Sequence, residues 1–189
     1  MAINLSKGGN ISLAKEAPGL KSMIVGLGWD VRATDGQGFD LDASAFMLGA
    51  NKKCAKPEDF IFYNNKQSVC GSVTHTGDNR TGEGEGDDET ILVELDKVPA
   101  NIEQISFVVT IHEAQERGQN FGMVSSAYIR LVDKVNNKEI ARFDLSEDAS
   151  LDTAMIFADV YRQNGEWKFK AVAQGFQGGL PAMVSHFGL

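Results

Sequence analysis

Between Asp78 and Glu89 the chain reads Asp78-Asn79-Arg80-Thr81-Gly82-Glu83-Gly84-Glu85-Gly86-Asp87-Asp88-Glu89, six carboxylates in twelve residues with Arg80 as the one opposing charge. Two like charges about 4 Å apart repel by roughly 4 kcal/mol at an effective dielectric of ~20, so a compact turn with these side chains converging calls for a cation. Gly82, Gly84 and Gly86 alternate with Glu83, Glu85 and Asp87, which lets the backbone curl tightly and turn carbonyl oxygens in beside the carboxylates. Such an oxygen-only donor set suits calcium, which accepts about six to eight oxygens in adaptable geometry. Zinc and copper want His or Cys, absent from this run, and magnesium demands a near-ideal octahedron. The run is not an EF-hand: its third and fifth positions are Arg80 and Gly82, and its sixth, where glycine is required, is Glu83. Runs of acids are commonly no more than solvated turns. The interleaved glycines, with Asn79 and Thr81, set this one apart.

A second acidic group lies upstream, in Gly28-Trp29-Asp30 and Gly38-Phe39-Asp40-Leu41-Asp42-Ala43-Ser44. In an extended chain Asp40 and Asp42 share a face about 7 Å apart, within reach of one ion or of two neighbouring ones. Trp29, directly before Asp30, is expected to pack beneath the acidic loops. Paired carboxylates with bound metal can also activate water for attack on a phosphate ester. The three histidines, His75, His112 and His186, are scattered, with His75 alone next to the acidic loop, which argues for a binding protein over such a hydrolase.

These segments must be held by a scaffold, and its elements read as strands. Short, partly alternating stretches rich in β-branched and aromatic residues run from Met23 to Trp29, Ala43 to Leu48, Phe60 to Tyr63, Thr90 to Leu95, Ile105 to Ile111, Ala127 to Val132 and Ile140 to Leu145. Ala154 to Arg162 and Trp167 to Ala173 flank an Asn164-Gly165 turn, the signature of a β-hairpin. Short helices are expected only over Glu113 to Asn120 and Leu180 to Phe187. With 20 glycines and no regular alternation of strands with long helices, the expected fold is all-β: an antiparallel sandwich of two sheets with minor helices, one domain over residues 1–189. Phe46, Phe60, Phe62, Phe107, Phe157 and Trp167 fall inside these strands and are expected in the core.

Bulk composition narrows the partners. A formal net charge of -8 disfavours nucleic acid and anionic lipid, which attract positive surfaces. No stretch approaches the roughly 20 apolar residues of a membrane span, and the N-terminus lacks the pattern of a secretory signal. The expectation is a cytoplasmic monomer with reduced Cys54 and Cys70, neither in a C-x-x-C arrangement.

Taken together, Gly26-Leu27-Gly28-Trp29-Asp30, Phe39-Asp40-Leu41-Asp42-Ala43-Ser44 and the run from Asp78 to Glu89 resemble the TerD family. The likeness extends from Leu5-Ser6-Lys7-Gly8-Gly9-Asn10 through Phe60-Ile61-Phe62-Tyr63-Asn64-Asn65 and Ile111-His112-Glu113-Ala114 to Gly165-Glu166-Trp167-Lys168-Phe169. The resemblance implies a calcium-binding β-sandwich in a bacterial tellurite-resistance and stress-response system, and the scattered histidines argue that it is not an enzyme. Its ligands would correspond to Asp30, Asp40, Asp42, Asp78, Asn79, Thr81, Glu83, Asp87, Asp88 and Glu89, with Arg80 contributing only its carbonyl, around what the oxygen count makes two ions. Other Ter-family proteins and a TerC-like membrane protein are the implied partners.

Overall fold

The computed structural model of the chain describes residues 2–30, 38–77, 86–145 and 151–189. Among these residues twelve strands and three α-helices follow in the order β1 (Ile3–Asn4), β2 (Asn10–Ser12), α1 (Leu13–Glu16), β3 (Ser22–Asp30), β4 (Leu41–Leu48), β5 (Phe60–Ile61), β6 (Val73–His75), β7 (Glu89–Glu94), β8 (Gln104–Ile111), α2 (Ala114–Arg117), β9 (Ser125–Asp133), β10 (Lys138–Asp144), β11 (Ala154–Gln163), β12 (Glu166–Phe176) and α3 (Gly179–His186). They form two six-stranded sheets, β1-β10-β9-β3-β7-β6 and β2-β12-β11-β8-β4-β5, in which only β1 and β10 run parallel. The expected all-β sandwich is what the chain adopts.

Alternation sets which face of each strand turns inward. In β7 the buried residues Glu89, Ile91 and Val93 alternate with half-exposed Thr90, Leu92 and Glu94, and in β3 Met23, Val25, Leu27 and Trp29 enter the core between the sheets. Phe143 of β10 meets Phe157 of β11 edge to face across that core, their ring centroids 5.9 Å apart. Strand β4 is buried along its whole length. Its Leu41, Ala43, Ala45 and Met47 join the core between the sheets, while Phe46 and Leu48 face outward beneath Met183 and Phe187 of the C-terminal segment. A strand covered on both faces needs the near-continuous apolar run that this one carries.

The β11–β12 hairpin pairs Gln163 with Glu166 around Asn164 (φ +54°) and Gly165 (φ +78°), left-handed residues as a two-residue hairpin turn requires. The stretch from Phe60 to Tyr63 is shorter as a strand than its aromatic content implies. Phe62 and Asn65 exchange backbone hydrogen bonds at 3.1 and 3.0 Å, so the chain turns back before Tyr63 can extend the ladder. Strands β1, β2 and β6 escape sequence reading because two or three residues carry no resolvable period. Cys54 is buried and Cys70 exposed, both as free thiols.

Candidate metal centre

The described end of the acidic run, Asp88 and Glu89, meets the end of β3 and the start of β4, and hydrogen bonds fix how. Beyond the β3–β7 ladder, Asp88 keeps company with β3: its N–H donates to Leu27 O (2.8 Å) and its Oδ2 accepts from Trp29 N (2.9 Å). The register between β3 and β9 slips between Gly28 and Asp30, a bulge that re-aims the chain beside this contact. One residue on, Glu89 turns into the core, where its Oε2 accepts from Ala43 N on β4 of the opposite sheet. Three stretches far apart in sequence, ending near Trp29, Ala43 and Glu89, are thus tied together. Trp29 lies beneath them, 3% exposed.

His75, the last residue of β6, stands next to Glu89 with Nε2 3.6 Å from Oε2, and both side chains are essentially without solvent contact. Asp42 faces the other way. On β4 it alternates outward with Ser44 and Phe46, and its Oδ2 lies 3.7 Å from Nδ1 of His112. There it lines a cavity of about 960 Å³ on the outer face of its sheet, with Tyr63, His112, Glu113, Gln177 and the first turn of α3. Asp40 is joined to the same corner through its carbonyl, which accepts from His112 N at 2.8 Å.

Asp87 occupies a third position, on the outer face of the β3 sheet. Arg130 grips it with both arms of the guanidinium fork, Nε to Oδ1 at 2.7 Å and Nη2 to Oδ2 at 3.1 Å. The hydroxyl of Tyr128 lies 3.0 Å from Gly86 O and 3.2 Å from Oδ1 and shares its one proton between the two acceptors. The bond to Asp87 raises the Arg130 pKa further above its already high ordinary value, and burial followed by the negative charge of Asp87 raises that of Tyr128.

A model of the TerD domain matches residues 1–187. The chain belongs to the TerD family. It is 61% identical to tellurium resistance protein TerD of Serratia marcescens over the whole of this chain and 98% of that protein. It is 54% identical to general stress protein 16U of Bacillus subtilis, again over all of this chain and 98% of the relative. The crystal structure of a homologue of telluride resistance protein from Streptomyces coelicolor superposes with a TM-score of 0.72 at 25% identity, covering 88% of this chain and 96% of that one.

Of the acidic residues that the TerD resemblance nominates, Asp88 and Glu89 meet the ends of β3 and β4, Asp42 points to the opposite side of β4 from Glu89, and Asp87 is held by Arg130. Asp30 is the last residue of β3. Asp78, Asn79, Arg80, Thr81 and Glu83 lie outside the described residues. Among the described residues no three His, Cys, Asp or Glu side chains come together as a group that could hold a metal ion. By donor chemistry the carboxylates of Asp40, Asp88 and Glu89 fit a hard cation such as calcium. Asp87 fits less well, since an ion there would have to displace a two-point guanidinium contact. Sequence reading missed Tyr128 and Arg130, and placed His75 next to the acidic loop without foreseeing its burial against Glu89. A signal for the first two existed: Gly26 and Gly28 stand two apart inside a strand, a spacing that marks close approach of another group.

Proposed function

We propose that this TerD-family chain is a non-enzymatic, calcium-dependent binding module of a tellurium-resistance and general stress-response system, acting in the cytoplasm as a monomer. Calcium would be held by Asp40, Asp88 and Glu89 together with Asp30 and the loop residues Asp78, Asn79, Arg80 (through its carbonyl), Thr81 and Glu83. Two ions suit that count of oxygens. When bound, calcium supplies positive charge that lets this many carboxylates share one end of the fold. The chain's own residues do the rest: Trp29 N and Ala43 N orient the Asp88 and Glu89 carboxylates through hydrogen bonds, and Asp88 N ties the loop stem to β3.

The observation that supports this reading is the meeting of Asp88 and Glu89 with the ends of β3 and β4. Loops ordered by the ion would then present a surface to other Ter-family proteins, including a TerC-like membrane protein bound peripherally. Free calcium at 100 times the dissociation constant adds about 2.7 kcal/mol of apparent stability, enough to make loop order conditional on the ion.

The test is isothermal titration of chelator-stripped protein with calcium, magnesium present as competitor, beside an Asp40→Asn/Asp88→Asn variant. Calcium-selective binding that the variant loses supports the reading. Absence of binding to the unsubstituted chain overturns it.

A second reading, metal-assisted hydrolysis of a phosphate ester, draws on the cavity where Asp42 and His112 meet. Calcium- or magnesium-dependent turnover of a phosphodiester panel, lost in Asp42→Asn, would favour it.

A further inference from the structure

We infer that Asp87 is not an ion ligand but the anchor of a clamp, made with Arg130 and Tyr128, that fixes the stem of the acidic loop onto β3. Both of its oxygens are engaged, Oδ1 by Arg130 Nε and the Tyr128 hydroxyl, Oδ2 by Arg130 Nη2. Its side chain is only 8% exposed. The partners are themselves held: Arg130 Nη1 reaches Glu139 at 3.1 Å, and the guanidinium of Arg142 lies over the Tyr128 ring, 3.8 Å from its centroid.

The strand register makes this arrangement. Arg130 pairs with Gly26 and Tyr128 with Gly28 across the β3–β9 ladder, so both side chains project over glycines. A Cβ at Gly26 would fall within the Asp87 carboxylate, and one at Gly28 within the Tyr128 ring. The Gly26-Leu27-Gly28 spacing is therefore a notch cut for the clamp. A divalent ion brought to Asp87 would face the Arg130 guanidinium at contact range and would have to displace its two-point contact. What the clamp delivers is position: with residue 87 pinned, Asp88 meets Leu27 O and Trp29 N, and Glu89 enters the core.

The binding arm of the test rests on the calcium reading, and the stability arm does not. In a Trp167→Phe background, where Trp29 is the sole indole, Gly26→Ala and Asp87→Ala are compared singly and together. In chelator each single variant is expected to lower Tm by about 5–10 °C and to shift Trp29 emission to longer wavelength. The double variant should melt no lower than the worse single one, because removing the carboxylate vacates the space that the new methyl needs. Arg130→Lys, which keeps the charge and gives up the two-point contact, should shift emission in the same sense should the harsher variants fail to fold. Calcium titration of Asp87→Ala should give the same number of ions as the parent.

Unchanged Tm and emission in Asp87→Ala with fewer ions bound would make Asp87 a ligand and overturn the clamp, as would fully additive losses in the double variant. If the parent binds no calcium, the functional reading fails while the chelator data still decide the clamp.

Discussion

Replacing Glu89 by alanine isolates what one inward carboxylate contributes before any ion is bound. Glu89 is 2% exposed, and its Oε2 takes the Ala43 N–H from the facing sheet. The substitution strands that buried donor, a loss of about 1–3 kcal/mol. It also removes side-chain volume between β7 and β4, which adds a cavity contribution of about 1–2 kcal/mol for so small a space. Together these give ~2–5 kcal/mol. For a chain of 189 residues each kcal/mol moves Tm by about 2–4 °C, so Glu89→Ala should melt about 4–20 °C lower. Glu89→Gln retains an oxygen acceptor of nearly the same shape and should lose no more than about 1 kcal/mol. The assay is thermal and urea denaturation followed by circular dichroism, in chelator so that ion binding plays no part. If Glu89→Ala lies within about 0.5 kcal/mol of the parent, the inter-sheet tie carries no weight. If Gln and Ala variants lose the same amount, charge beside His75 outweighs the hydrogen bond, and the reasoning fails as well.

Burial raises the Asp159 carboxyl pKa, with hydrogen bonds from Ser106 and Gln104 opposing it. The unfolded chain then releases its proton first as pH rises past about 4, so ionisation of Asp159 disfavours the fold above that point. Asp159→Asn should accordingly gain stability relative to the parent between about pH 3 and pH 7, as read by melting curves across that range, and a flat difference would refute the assignment. Burial pushes the Cys54 thiol up to about 11, whereas Cys70 is exposed and, against its own partial desolvation, is lowered by the Ser68 and Ser72 hydroxyls. An aromatic disulfide reagent near pH 7.5 should therefore titrate one thiol rapidly in the native chain and two in denaturant; two rapid thiols would contradict the burial of Cys54. Met183 is 0% exposed where α3 lies over β8 and β11, so Met183→Ala should lose about 2–5 kcal/mol in urea denaturation. A smaller loss would mean that α3 is only loosely seated.

The scaffold was largely legible because most of its strands are long enough to show a period. The pattern Glu89-x-Ile91-x-Val93 reads as one face of a strand, and followed one residue further back it already turns Glu89 inward. Strand β4 spans residues 41–48 but was read only from Ala43 onward, leaving out Leu41 and Asp42. Burial on both faces explains why Asp42 belongs to the strand and looks outward, a fact set by the distant segment at Met183 and Phe187. At the site, composition identified the acids and the resemblance grouped them. Neither could assign Asp87 to Arg130, 43 residues away in sequence, because that contact depends on the register of β9 against β3. Gly26 and Gly28 entered the sequence reading only as part of the motif that carries the resemblance, with no structural role attached. The notch they form has meaning only once the strand lying beside them is known.

Both sheets finish at their margins in minimal strands: β1 and β5 are two residues long, β2 and β6 three. The outer side of β6 is further occupied by the segment around Lys66 to Ser68, which takes hydrogen bonds from His75 N and gives one to Val73 O. The outermost strands themselves thus offer another chain only two or three residues each of backbone to extend. A crowded cell could accumulate such sandwiches, or several related ones side by side, without stitching them into fibres. A partner that recognises this protein must then read side chains on its faces or loop ends, and discrimination among paralogues falls to those surfaces rather than to strand addition.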